Sequence, residues 1–245
     1  MGNNGVIQAK KLIDKYAITQ PNEIPIEDII INEGPYIIDK PITGAEGRIV
    51  CYDKYALITV NSSIKDESKR RFILAHELGH YLMHRNIAPF YNDTENDFWE
   101  WRSSKHHENE ANEFAAELLM PTEIFLSLSR KEPFSIDFVL KIKSQFKTSL
   151  TATAIRFAEK GHDPILLLCS QNNIVKWFIK NEAFPFAKIS VHGKIPVNTV
   201  SYEYYKHNKT YAQPEEIDPK DWHIVDRYFG ELKYYEQCIY FDYYG

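Results

Sequence analysis

The sequence predicts an α+β protein, and three observations carry that expectation. A helical pattern opens the chain, three short runs rich in Ile, Val and Tyr follow it, and a helix with regularly spaced histidines follows those. Helix, small sheet and helix in succession is the order of an α+β layer, not of alternating βαβ units.

Val6, Ile7, Ala9, Leu12, Ile13 and Tyr16 recur at helical spacing, which predicts an amphipathic helix over 5–16. Pro21 and Pro25 punctuate the chain, and a short helix is expected over 26–30. Runs 36–39, 47–52 and 55–61 read as strands bounded by Gly, Pro and Asp. Ser63-Ile64-Lys65-Asp66 has capping-box form and is expected to start the next helix.

That helix carries Arg71-Phe72-Ile73-Leu74-Ala75-His76-Glu77-Leu78-Gly79-His80. Residues four apart share a helix face, so His76 and His80 can present two imidazoles to one metal ion. Glu77 is rotated about a quarter turn, where it can reach a water on that metal. Two neutral imidazoles suit zinc, and a catalytic zinc takes three protein ligands and leaves a position for water. A five-residue match of this kind also arises by chance, so its surroundings matter. Apolar residues flank the histidines, and Gly79 in mid-helix costs about 1 kcal/mol relative to Ala. A glycine there fits a place where another backbone or a ligand comes close.

The long connection over 85–104 contains Phe98-Trp99-Glu100-Trp101, which suggests an anchored wall of a cleft or a packed lid. A helix is expected over 105–119, capped by Ser103 or Ser104 and stopped by Pro121. Ala111, Phe114, Ala115, Leu118 and Leu119 form its apolar face. Glu108 and Asn112 share another side. If that side meets the histidines, Glu108 is the third ligand and Asn112 can orient a ligand through a hydrogen bond. Glu110 stays open as the alternative ligand, while Glu113 and Glu117 suit a solvated stripe. Tyr81, His84, His106 and His107 are candidate donors to a developing oxyanion. His84 also suits the helix end, where its charge complements the dipole.

These residues resemble the ImmA/IrrE family of zinc metallopeptidases. The resemblance rests on Ile58-Thr59-Val60-Asn61, on the stretch from Arg71 to His80, and on Glu108 to Pro121. It covers about the first 125 residues. It implies a zincin-like peptidase core similar to thermolysin-like gluzincins, in which a Glu on a later helix completes the zinc site. It further implies one zinc ion per chain and a protein substrate, a helix-turn-helix repressor cut to release stress-response or mobile-element genes. Some members carry a DNA-binding domain ahead of the peptidase, whereas this chain begins directly with the peptidase region.

Further along, 136–146 and 149–159 read as two helices joined by Lys147-Thr148, with Ile136, Val139, Leu140, Ile142 and Phe146 inward. They resemble the helix-turn-helix segment that family members carry after the core. A packing role for the pair is preferred, because Lys141, Lys143 and Lys147 make a thin basic surface for DNA. Beyond Gly161, strands are expected over 165–169, 174–179, 200–205, 231–235 and 238–243, with a hairpin turn at Asn172-Asn173. The expected organisation is a peptidase core over 1–130, a helical segment over 131–160 and a β-rich region over 161–245. That last region is a GAF-like sensor, a substrate-docking module or a cap. Its sequence shows no ligand motif.

Composition narrows the function class. The 245 residues carry a net charge of -5, which argues against a general nucleic-acid binder. The three cysteines are far apart and odd in number, so neither a disulfide framework nor a metal cluster is expected and a reducing cytoplasm is. No run approaches the roughly 20 apolar residues of a membrane span. The expectation is a cytoplasmic zinc endopeptidase. Its rivals are a non-catalytic regulator binding a repressor or DNA through 136–159, and a zinc amidase acting on a small molecule.

Overall fold

The computed structural model describes residues 4–52, 55–85, 90–92, 106–190, 192–225 and 232–240. It is a mixed α+β structure that divides into two compact units, Met1–Thr153 and Ala154–Gly245.

The first unit is built on a four-stranded sheet flanked by helices. Helix α1 (Asn4–Lys15) buries Gly5, Ala9 and Leu12, and α2 (Ile26–Glu33) buries Ile26, Ile29 and Ile30. Strands β1 (Tyr36–Lys40), β2 (Gly47–Tyr52), β3 (Tyr55–Asn61) and β4 (Phe90–Asn92) lie in the order β1-β3-β2-β4. β1 runs parallel to β3, while β2 is antiparallel to both β3 and β4. Ile49 stands opposite Ile58, and both are buried.

Helix α3 (Glu67–His84) packs on this sheet and α4 (His106–Leu119) packs on α3. The two approach closely at Gly79. A Cβ there would lie 3.0 Å from Phe114 Cδ1 and 3.3 Å from the Ala111 Cα, so the close approach expected of this glycine is to the backbone of α4. The start of α3 differs from expectation. Its N-cap is Asp66, whose carboxylate accepts from Lys69 N at 2.8 Å, whereas Ser63 donates from N and Oγ to Asn61 Oδ1. Asp is a strong cap, and the turn at Asn61 has already engaged Ser63.

Helix α5 (Thr122–Ser129) follows α4 at once. Glu117, expected in solvent, is buried and accepts from Thr122 N at 3.0 Å and Thr122 Oγ1 at 2.6 Å. A carboxylate at the positive end of the following helix satisfies its free N–H groups. Helix α6 (Ile136–Phe146) is capped by Ser135 and buries Phe138, Val139, Ile142 and Phe146. Leu140, expected inward, is exposed, and Phe138 holds the buried place. The aromatic Phe98-Trp99-Glu100-Trp101 stretch lies outside the described residues.

The second unit begins within α7 (Leu150–Lys160). β5 (Leu166–Gln171) and β6 (Ile174–Lys180) form a hairpin whose turn residues Asn172 and Asn173 have φ of 52° and 61°. Positive φ at both central residues matches the right-handed twist of the strands, and Asn tolerates it. β7 (Phe186–Ala187) pairs with β9 (Ile224–Val225), and β8 (Glu215–Ile217) pairs with β10 (Tyr234–Glu236), all antiparallel. Val175, Ile195, Trp222, Ile224 and Tyr234 form this unit's core.

One expected strand is a helix. Residues Val200–His207 form α8, capped by Thr199, whose hydroxyl accepts from Tyr202 N at 3.1 Å. The Glu236 carboxylate accepts from Val200 N at 3.0 Å and Ser201 N at 2.8 Å. Asn208, at φ 51°, closes the other end. Capping at both ends overrides the strand preference of Val and Tyr. Residues 237–240 likewise form no strand.

Candidate metal centre

Helix α3 buries polar side chains at positions where a sequence of ordinary helical patterning would place Leu or Ala. His76, Glu77, His80 and His84 are all buried, Glu77 and His80 completely. Removing such groups from water is costly unless they are paired or bind a metal. Their position follows from the helix itself, since the three histidines are spaced four apart and form one row.

The row faces α4. His76, His80 and Glu108 each offer one ligating atom, and these atoms lie within 4.8 Å of one another. His76 Nε2 is 2.9 Å from His80 Nε2. Glu108 Oε2 is 3.4 Å from His76 Nε2 and 3.5 Å from His80 Nε2. Zinc bonds of about 2.0–2.1 Å in a tetrahedron set neighbouring ligand atoms roughly 3.3–3.4 Å apart, close to this triangle. Glu108 Oε2 is buried and accepts no well-formed hydrogen bond among the described residues. Two imidazoles and a carboxylate oxygen of this kind fit a zinc ion.

Electrostatics agree with the geometry. Burial alone would raise the Glu108 carboxyl, but the His76 and His80 rings beside it outweigh that and hold it well below the usual carboxylate range. The group is a carboxylate, as a ligand must be. Asn112 Oδ1 lies 2.9 Å from His76 Nδ1. An amide oxygen only accepts, so this contact suits a proton on His76 Nδ1, the tautomer that a ligand bonding through Nε2 requires.

Behind His80 the pattern continues. His80 Nδ1 is 3.1 Å from His84 Nδ1, and His84 Nε2 is 2.9 Å from Glu110 Oε2. Glu110, left open by the sequence as a ligand, thus faces His84, and its other oxygen lies 3.6 Å from His106 Nε2. Burial pushes the His84 imidazole down from its ordinary value, against the pull of Glu110. Burial would raise the Glu110 carboxyl, but the bond with His84 and the His106 charge hold it low.

The other donor candidates are placed as follows. Tyr81 turns towards α2, where a Cβ on Gly34 would lie 3.2 Å from its hydroxyl, and the Arg85 guanidinium sits 5.1 Å from its ring centroid. His106 is largely exposed. The His107 ring lies tilted against the His84 ring, their centroids 4.5 Å apart. Glu77 lies between α3 and the sheet: a Cβ on Gly47 of β2 would come within 2.9 Å of Glu77 Oε1. The sequence missed the link from His80 through His84 to Glu110. The i, i+4 repeat of the histidines was the signal for its first half.

A sequence model of the Peptidase M78 family, described as the IrrE N-terminal-like domain, matches residues 32–158. The chain is 33% identical over 129 residues to a protein of Bacillus phage phi105 named uncharacterized immunity region protein 2, covering 52% of this chain and 75% of that one. In fold it is similar to a Mycobacterium tuberculosis transcriptional regulator, with a TM-score of 0.55 and 13% identity over 86% of this chain. The match spans 63% of that regulator, and at such low identity the likeness concerns the fold alone. The matched stretch exceeds half the chain and holds the sheet, the histidine helix and the helix that bears Glu108, so the chain belongs to the Peptidase M78 family.

Proposed function

We propose that this chain is a cytoplasmic zinc endopeptidase that cuts a helix-turn-helix repressor and thereby releases stress-response or mobile-element genes. The observation that carries the reading is the convergence of His76 Nε2, His80 Nε2 and Glu108 Oε2, with a fully buried Glu77 following His76 on the same helix. A structural metal site has no need of that second carboxylate. Family membership supports the peptidase class, and the name of the phage immunity region protein is in keeping with a repressor as the partner. The absence, among the described residues, of a helix long and apolar enough to cross a membrane is consistent with this reading, as are the three free thiols.

His76, His80 and Glu108 would hold one zinc ion, with Asn112 orienting His76. When bound, zinc supplies Lewis acidity, polarising the scissile carbonyl and bringing the attacking water towards neutral pKa. Glu77 takes the proton from that water and returns it to the leaving amine. Burial of the site keeps bulk water from competing for these groups. Residues 161–245 would act on substrate choice or regulation, since every group assigned to the chemistry lies before Leu119. DNA is not the favoured partner. Lys141 pairs with Glu132, Lys147 lies 4.0 Å from Glu67, and Lys143 sits in the field of Asp66.

The test is to incubate the purified protein with a repressor encoded beside it, with zinc and with a chelator. Cleavage at one site that the chelator abolishes is expected. Tight binding of the repressor or its operator without cleavage, at any zinc level, would replace this reading with the non-catalytic regulator.

A further inference from the structure

We propose that the second unit binds a small organic anion, an apolar ring carrying one carboxylate or phosphate, in a cavity between β6 and the β7–β9 ribbon. The cavity measures about 200 Å³ and all of its lining residues belong to that unit. Sites for drug-sized ligands run upward from roughly 300 Å³, so the occupant is smaller than those. This reading of the second unit stands whether or not the first unit is a metallopeptidase.

The floor of the cavity is apolar. Val175 on β6 and Trp222 ahead of β9 are both buried, and Pro196 closes one side. Trp222 Nε1 donates to Glu236 Oε2 at 2.9 Å, which fixes the indole in place. That bond satisfies the ring's one polar atom, so the indole offers the cavity carbon surface. The backbone of Val175 is occupied too. Its N–H donates to Gly193 O at 2.9 Å and its carbonyl accepts from His192 N at 2.8 Å. A purely polar ligand would find little to hold it there.

The rim is cationic. Lys188, Lys194 and His223 line it, all exposed, and no carboxylate stands among the described lining residues. Lys141 and Lys233 pair with acids elsewhere on the surface, whereas Lys188 and Lys194 have no acidic partner among the described residues. Two ammonium groups at one mouth raise the local concentration of anions, against a chain charge of -5. An ammonium acts as a point charge and suits carboxylate and phosphate alike, and the His223 ring can donate to the same group.

The backbones that bear these cations are tied down. Lys188 N donates to His223 O at 3.1 Å, and Lys194 forms a bridge with Ile174 of β6. The turn between the two lysines is tight, since a Cβ on Gly193 would lie 2.8 Å from Ser190 O. A ligand would have to order only the lysine side chains, which keeps the entropic cost of binding low.

The experiment titrates the full-length protein with benzoate and with phenyl phosphate, read by calorimetry and by the Trp222 indole N–H signal in proton–nitrogen NMR. At least one of the two should bind saturably at a single site and shift that signal. Their relative affinity tells a carboxylic acid from a phosphate ester as the anionic group preferred. Lys188→Gln combined with Lys194→Gln removes both charges from exposed positions and should weaken binding about tenfold or more. Lys176→Gln changes the charge on the opposite face of β6 from Val175 and should bind like wild type. Equal binding of benzyl alcohol would show that the cations play no part, and equal binding of inorganic phosphate that the floor plays none. Either result would overturn the proposal. So would the absence of saturable binding by both probes at millimolar concentration, or an equal loss in Lys176→Gln, the mark of a diffuse surface field.

Discussion

At the scale of single residues, burial of ionisable groups is what separates this site from an accidental motif. Glu77 and His80 are fully buried and Glu108 Oε2 is sealed from water, yet each is polar and would be costly to bury without a task. The His76–Glu77–His80 spacing was legible in the sequence because a helix fixes which residues share a face. The preference for Glu108 over Glu110 rested on Asn112 one turn further on and left Glu110 open, since both lie on α4 and only tertiary packing turns one to His76 and the other to His84. Two outcomes follow from that packing. Glu108→Ala removes a ligand atom and should weaken zinc binding at least about tenfold, with loss of the tetrahedral spectrum of the cobalt-substituted protein. Glu110→Ala acts only through His84, and the cobalt spectrum should keep its tetrahedral form. A tetrahedral spectrum kept in Glu108→Ala and lost in Glu110→Ala would mean that the ligand has been assigned to the wrong carboxylate.

At the scale of elements, sequence and structure agree where periodicity and turn chemistry point the same way. β2 and β3 fall where Ile, Val and Tyr content and bounding Gly and Asp place them, and the Asn172-Asn173 turn has the positive φ values a tight hairpin requires. It failed at α8, where Val and Tyr pointed to a strand but Thr199, Asn208 and the distant Glu236 carboxylate close a helix. A cap supplied from 36 residues away is invisible to local pattern. Gly79 belongs to this scale too, because it sets how closely α3 meets α4 and so whether Glu108 can reach the histidines. Gly79→Val should force the helices apart, lowering stability by roughly 1–3 kcal/mol as overpacking does. Chemical denaturation checks that, and zinc affinity measured on the same protein should fall with it. Asp66→Ala, by contrast, should cost about 1 kcal/mol through loss of the α3 cap and leave zinc affinity nearly intact.

At the scale of the whole molecule, the described site residues all belong to the first unit, Met1–Thr153. A chain ending after Lys160 should therefore still take up about one zinc, read by elemental analysis, while losing repressor choice or its regulation. Zinc bound only by the full chain would assign part of the site to the second unit. The β-rich character of that unit could be seen in its composition, but its separate two-stranded pairings could not, because short strands carry little register information. The central claim is that a buried general base works beside a zinc site. The measurement that tests it most directly compares wild type and Glu77→Gln, each loaded with zinc, for cleavage of the repressor encoded beside the gene. The amide keeps the shape of the side chain but cannot take the water's proton, so Glu77→Gln should bind zinc like wild type and cleave a hundredfold or more slower, on the order expected for loss of a general base. Cleavage at the wild-type rate by the zinc-loaded variant would remove Glu77 from the role of general base.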